Sequence, residues 1–149
     1  MDLRTRGRRA ISVPTARGSF TSGTSAPGRA IRRACSRLYS EDAILESPLV
    51  PAILDNKPDG VLRGRGELRL FFDEGGRRRP NKLVRWYRTG EWLTDGRRLL
   101  VWEYPRQTPD GDQVDLVEFM EIAGGLIAYH RVYWGWNGCR LIAPALSRR

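Results

Sequence analysis

The 149-residue chain carries 26 Lys and Arg against 17 Asp and Glu, a formal charge of +9, with two Cys and one His. That length fits one domain around one core, and no apolar run exceeds the four residues seen at Leu99 to Trp102, which excludes a bilayer-spanning helix of about 20 residues and a signal-peptide core and predicts a soluble, cytoplasmic protein. Cys35 and Cys139 lie far apart, without the spacing of a metal knuckle or a disulfide framework, and read as ordinary thiols.

The charge is unevenly placed. Residues 1–40 hold nine Arg and one acid, Asp2, whereas residues 41–149 hold seventeen Lys and Arg against sixteen acids. The near-neutral remainder makes nucleic acid an unexpected partner for the folded part. Residues 1–28 are rich in Arg, Ser, Thr and Gly and show no helical or alternating period, so they cannot bury enough apolar surface to fold alone and read as a disordered basic tail. A tail without function, a start assigned too far upstream, an organelle presequence and a polyanion-binding arm all fit that composition.

From Arg29 the pattern changes. Ile31, Ala34, Cys35, Leu38 and Tyr39 recur on one helical face, predicting a short helix to about Tyr39. Asp42 to Glu46 alternates and is closed by Ser47-Pro48, predicting a short strand. Leu49 to Arg63 carries Pro51, Pro58 and Asp59-Gly60 and is expected to be a loop. Gly64-Arg65-Gly66 opens a helix over Glu67 to Asp73, with Leu68, Phe71 and Phe72 on one face. Gly75-Gly76 is expected to end it and Arg77-Arg78-Arg79 to form a solvated loop.

After Pro80 the chain turns strand-like, over Leu83 to Arg88, Arg98 to Tyr104, Gln113 to Ile122 and Leu126 to Trp136. Thr94-Asp95-Gly96, Asp110-Gly111 and Gly124-Gly125 are hairpin turn signals and predict an antiparallel sheet. Alternation places Leu100, Trp102, Tyr104, Leu116, Glu118, Met120, Ala128, His130, Val132 and Trp134 on one face. The other face carries Val101, Glu103, Asp115, Val117, Phe119, Ile127, Tyr129, Arg131 and Tyr133. Both faces are largely apolar, so both are expected to be covered: the first by helices around a pocket, the second by another copy of the chain through Val117, Phe119 and Tyr133. The folded domain is expected over 29–143, with a basic C-terminal tail at 144–149.

The segments LYSEDAILESP, GVLRGRGELRLFF and GGLIAYHRVYWGW, in that order, resemble the SnoaL-like branch of the nuclear transport factor 2-like superfamily over roughly residues 32–141. The resemblance implies an α+β cone: a strongly curved antiparallel sheet with N-terminal helices packed over an apolar pocket, often dimeric through the outer sheet face. That superfamily includes steroid Δ-isomerases, scytalone dehydratase, limonene epoxide hydrolases and polyketide cyclases beside members of no known activity, so fold alone does not deliver function. In the ketosteroid isomerase-like pattern the base is an Asp directly before the proline that ends the first strand. Ser47 stands there, and a hydroxyl cannot abstract a proton near neutral pH without an activating group. The isomerase's second acid corresponds to Glu118. Its tyrosine on the first long helix has no counterpart in residues 1–28.

A three-residue loop of Ala123, Gly124 and Gly125 would place Glu118 opposite His130, the only histidine, on the inner face. Such a pair can act as general acid and base on an acidic C–H or a water molecule; the competing reading is a mutually satisfied polar pair that fixes strand register. Trp86, Trp102, Tyr104, Met120, Trp134, Tyr39 and Phe72 are the expected lining, either as plain core or as walls around a flat polycyclic or terpenoid ligand. There is no phosphate loop, dinucleotide fingerprint, zinc cluster or nucleophile elbow, and neither a metal nor a nucleotide cofactor is expected. Three classes stay open: a cofactor-free isomerase, lyase or cyclase acting on a hydrophobic molecule, a non-catalytic binder of such a molecule, and a dimeric interaction module.

Overall fold

The structure is a computed structural model that describes residues 35–78, 85–86, 92–107 and 113–147. The basic tail, residues 31–34 of the first expected helix, Arg79 and the Asp110-Gly111 turn lie outside the described residues. So does the side chain of Trp86.

Tyr39 opens strand β1 (Tyr39–Glu46) instead of closing a helix, and alternation buries Tyr39, Ala43 and Leu45. The cause is a tertiary hydrogen bond: the Ile127 N–H donates to the Leu38 carbonyl at 2.8 Å, drawing this segment into the sheet. The expected loop after Pro48 holds two elements, a helix α1 (Leu49–Ile53) and a strand β2 (Val61–Arg63). Pro51 is tolerated because it sits in a first helical turn, where no intrahelical N–H is needed. The Ser47 Oγ accepts the Leu49 N–H at 3.2 Å, and all five residues of α1 are buried. Gly60 closes this segment at φ +74°, where an added Cβ would sit 3.2 Å from the Ser47 carbonyl oxygen, so only glycine fits without strain.

Helix α2 (Gly64–Arg78) runs five residues beyond the expected stop and passes straight through Gly75-Gly76. A helical glycine costs only about 1 kcal/mol relative to alanine. The last turn is held by an Arg77–Glu74 ion pair and by Arg78 against Asp55 at 2.9 Å, with both cations placed well for the helix dipole. Arg77 and Arg78 therefore belong to a helix end and not to a loop.

Strands β4 (Trp92–Thr94), β5 (Leu99–Glu103), β8 (Leu116–Ala123) and β9 (Leu126–Trp134) join β1 and β2 in a six-stranded curved sheet of order β2-β1-β9-β8-β5-β4. Short strands β3 (Arg85–Trp86), β6 (Arg106–Gln107) and β7 (Gln113–Val114) form a separate three-stranded sheet. Every pairing is antiparallel except β1 with β9, which is parallel. The third expected strand breaks at Asp115, whose carbonyl accepts the Gly135 N–H at 2.8 Å. The fourth ends at Trp134, and Trp136 begins helix α3 (Trp136–Leu146), so residues 144–146 finish a helix where a tail was expected.

The main core joins Tyr39, Leu45, Val50, Ile53, Leu62 and Leu68 with Ile142 from α3. A second cluster gathers Tyr104, Val114 and Leu116, and Trp134 packs against both. No described helix is long and apolar enough to cross a membrane. Gly138 lets α3 lie on this region: an added Cβ would meet the Trp134 ring at 2.5 Å and Val114 Cγ1 at 2.9 Å. Gly138→Ala should destabilise the fold by about 1–2 kcal/mol, because overpacking of about 1–3 kcal/mol outweighs the better helix propensity of alanine; an unchanged urea midpoint would show that the helix shifts freely.

Candidate acid–base site

The site is placed by the β8–β9 hairpin. Gly124 and Gly125 take φ of +58° and +79°, and Ala123 faces Leu126 across a two-residue turn, the conformation two adjacent glycines favour. The expected three-residue loop is thus shorter by one. A bulge then skips Ala128: Ile122 faces Ile127, but Glu121 faces Tyr129. Below the turn Ile127 joins the inner side and packs on the main core, correcting its expected outer position, while from Tyr129 onward the expected alternation resumes.

These two shifts place Met120, not Glu118, directly opposite His130; Glu118 faces Val132 on one side and Trp102 on the other. Even so, Glu118 and His130 meet. The carboxylate reaches along the diagonal, within the span of a long side chain, and brings Oε2 to 3.3 Å from the imidazole Nε2. His130 lies in a cross-strand row of Leu62, Leu45, His130, Met120, Leu100 and Thr94. It is 5% exposed, with four apolar residues in that row.

Two tyrosines complete the arrangement. The Tyr39 hydroxyl lies 2.7 Å from His130 Nδ1, and its ring stacks on the imidazole and tilts against Phe72. The Tyr104 hydroxyl donates to Glu118 Oε1, while Trp102 lies against the Tyr104 ring at 4.4 Å between centroids. Burial first, then the negative charge of Glu118 and the nearby Cys35, push the Tyr39 hydroxyl well above its ordinary range, so it keeps its proton. The result is a chain Tyr39–His130–Glu118–Tyr104 drawn from β1, β9, β8 and the residue after β5. Its imidazole-carboxylate centre can pass a proton between two positions of a bound molecule.

Of the expected lining, Tyr39 stacks on His130 and Phe72 packs on Tyr39, Trp102 and Tyr104 flank Glu118, and Met120 is buried beside His130. Trp134 fills space between the two core clusters. The hydrogen-bonding parts of Tyr39 and Tyr104 were not among the expectations. Alternation already placed Tyr104 on the inner face next to Trp102, whereas the Tyr39 contact depends on the parallel β1–β9 pairing, which leaves no local signal. Two open depressions, of about 360 and 330 Å³, lie elsewhere, one beside Ser47, Pro51 and Tyr133 and the other beside Ser36, Arg65 and Arg69; neither is lined by Glu118 or His130. On the outer face the Arg131 guanidinium lies 4.7 Å from the Tyr129 ring centre and 5.5 Å from that of Phe119, with Glu121 at 3.9 Å.

Solved structures share this architecture. An NTF-2 like protein of unknown function from Burkholderia xenovorans LB400 superposes with a TM-score of 0.51 at 22% identity, over 74% of this chain and 73% of that one. A Kribbella flavida protein proposed to be a ketosteroid isomerase gives 0.51 at 19% identity, over 71% and 67%. A computationally designed 17-OHP binder gives 0.51 at 16% identity, over 74% and 86%. No family model matches the chain, and the comparison with curated proteins returns no match. The fold is the one these solved structures share, an NTF-2 like protein among them. Tyr104→Phe should cost about 1–3 kcal/mol in chemical denaturation, since it leaves a largely buried carboxylate oxygen without its donor, and adding Glu118→Gln should recover part of that loss; additive effects of the two would mean that the hydrogen bond contributes nothing.

Proposed function

We propose that this protein takes up a hydrophobic small molecule against the inner sheet face and acts on it by cofactor-free acid–base chemistry, as a SnoaL-like isomerase, lyase or cyclase, with Glu118 and His130 as the working pair. The observation that carries this reading is the placement of one carboxylate and one imidazole 3.3 Å apart among Trp102, Tyr104, Tyr39 and Phe72. Titratable groups held together in such surroundings are where proton-transfer chemistry is commonly sited. A designed protein of the same fold binds the steroid 17-OHP, and another neighbour is proposed to be a ketosteroid isomerase, so the fold can enclose flat polycyclic molecules. Trp86, Trp102, Tyr104, Met120, Trp134, Tyr39 and Phe72 are the proposed contacts.

One observation favours a binder without catalysis. Ser47 stands where the isomerase-like pattern has its base, and its Oγ accepts the Leu49 N–H. A tryptophan-fluorescence screen of steroids, terpenoids and aromatic polyketides should find a ligand that quenches emission, and the reading as a pocket protein fails if none does. With a ligand in hand, Glu118→Gln and His130→Ala should each lower turnover by about 10²–10⁴-fold, the usual worth of general acid–base catalysis. Turnover indifferent to both would leave the binder.

The proposed partner is a second copy of the chain, docked through Val117, Phe119 and Tyr133. Tyr133 is 52% exposed on that face, and Val117 and Phe119 are only half-buried. Light scattering at micromolar concentration should give twice the mass of one chain, and Tyr133→Lys should return it to monomer; a monomeric wild type would overturn the dimer.

A further inference from the structure

We infer that Tyr39 holds the neutral His130 ring as its Nε2–H tautomer, which makes Glu118 the proton acceptor of the pair and His130 a donor beside it. The division of labour rests on the acid–base reading above; the tautomer does not.

A neutral imidazole has one N–H and one lone pair, and its neighbours decide which nitrogen carries the proton. The Tyr39 hydroxyl, buried at 5% exposure, lies 2.7 Å from Nδ1. A protonated phenol donates to an imidazole lone pair more strongly than it accepts from an imidazole N–H, which favours the lone pair at Nδ1. Nε2 carries the hydrogen as a consequence. The other end of the ring leads to the same tautomer independently. Nε2 is shielded from solvent, has no aligned hydrogen-bond partner, and stands 3.3 Å from Glu118 Oε2. A lone pair at Nε2 would confront the carboxylate's lone pairs across that gap, whereas an N–H there is attracted to the negative charge.

The chemistry then divides. With Nδ1 engaged by Tyr39 and Nε2 already protonated, His130 has no lone pair left for proton abstraction. Glu118 keeps free lone pairs, because Tyr104 occupies only one site on Oε1 and a carboxylate offers about four. Glu118 is therefore the member of the pair able to take a proton from a bound molecule, and Tyr39 is a positioning residue that acts through His130.

Because His130 is the only histidine, ¹⁵N-histidine labelling of the full chain gives one pair of ring-nitrogen signals. At pH 8 the wild type should show a pyridine-type shift at Nδ1 and a pyrrole-type shift at Nε2, and Tyr39→Phe should move both part of the way toward the averaged values of two exchanging tautomers, Glu118 keeping the remaining bias. A pyrrole-type Nδ1, a doubly protonated ring, or shifts that are the same in wild type and Tyr39→Phe would each overturn the inference. These spectra need no ligand, so they stand apart from the fluorescence screen: an empty screen sinks the proposed function while leaving the tautomer result as it is. Where the screen yields a molecule that is turned over, His130→Gln should retain more activity than Glu118→Gln, since an amide N–H can still donate, and the reverse order would overturn the assignment of roles.

Discussion

The register of one hairpin decides where everything else can stand. Side chains alternate along a strand, so sliding β9 by one residue against β8 would send His130 to the outer face and leave Glu118 without its neighbour. Two devices hold that register. Gly124 and Gly125 both lie in the left-handed region that glycine adopts freely, and the bulge at Ala128 inserts one unpaired residue that resets the alternation. The same stretch is tied to β1 through the Ile127 N–H and the Leu38 carbonyl, which places Tyr39 within reach of the imidazole.

That geometry answers an energetic difficulty. A carboxylate and an imidazole set among leucine, methionine and tryptophan lose hydration that only well-placed partners can replace. Tyr104 and Tyr39 supply those partners at either end, each with its ring against another aromatic side chain. Each tyrosine thereby serves twice, as apolar filling and as polar handle. Around this chain the fold is conventional: fully buried Ile53, Leu62, Leu68 and Ile142 interlock α1, β2, α2 and α3 in the main core. The polar chain sits where that core meets the cluster around Tyr104 and Leu116.

Much of this was legible in the residues, for reasons that can be named. Alternation is a local property, so the inner-face membership of Trp102, Glu118, Met120, His130 and Val132 could be read directly, and glycine pairs marked the β8–β9 turn to within one residue. What could not be read was either tertiary or compensated. Tyr39 has helical neighbours by spacing, yet a hydrogen bond from Ile127 makes it strand. Gly75-Gly76 looks like a stop, yet ion pairs at Glu74 and Asp55 carry the helix through. The bulge at Ala128 leaves no mark in composition. Together with the shorter turn it is why Glu118 reaches His130 along the diagonal and not from the facing position that was expected.

The parallel pairing of β1 with β9 reaches beyond geometry. Tyr39 and His130 stand 91 residues apart in the chain, and no local element brings them together. Closing so long a loop costs entropy that only the finished sheet repays. On a ribosome, β1 can pair with the nearby β2 on one edge, while its other edge stays unpaired until β9 has been made. Folding of the polar chain is therefore a late event in the life of each molecule. A chain shortened before Leu126 would lack β9 altogether, leaving β1 with β2 as its described strand neighbour and Tyr39 without the imidazole it meets.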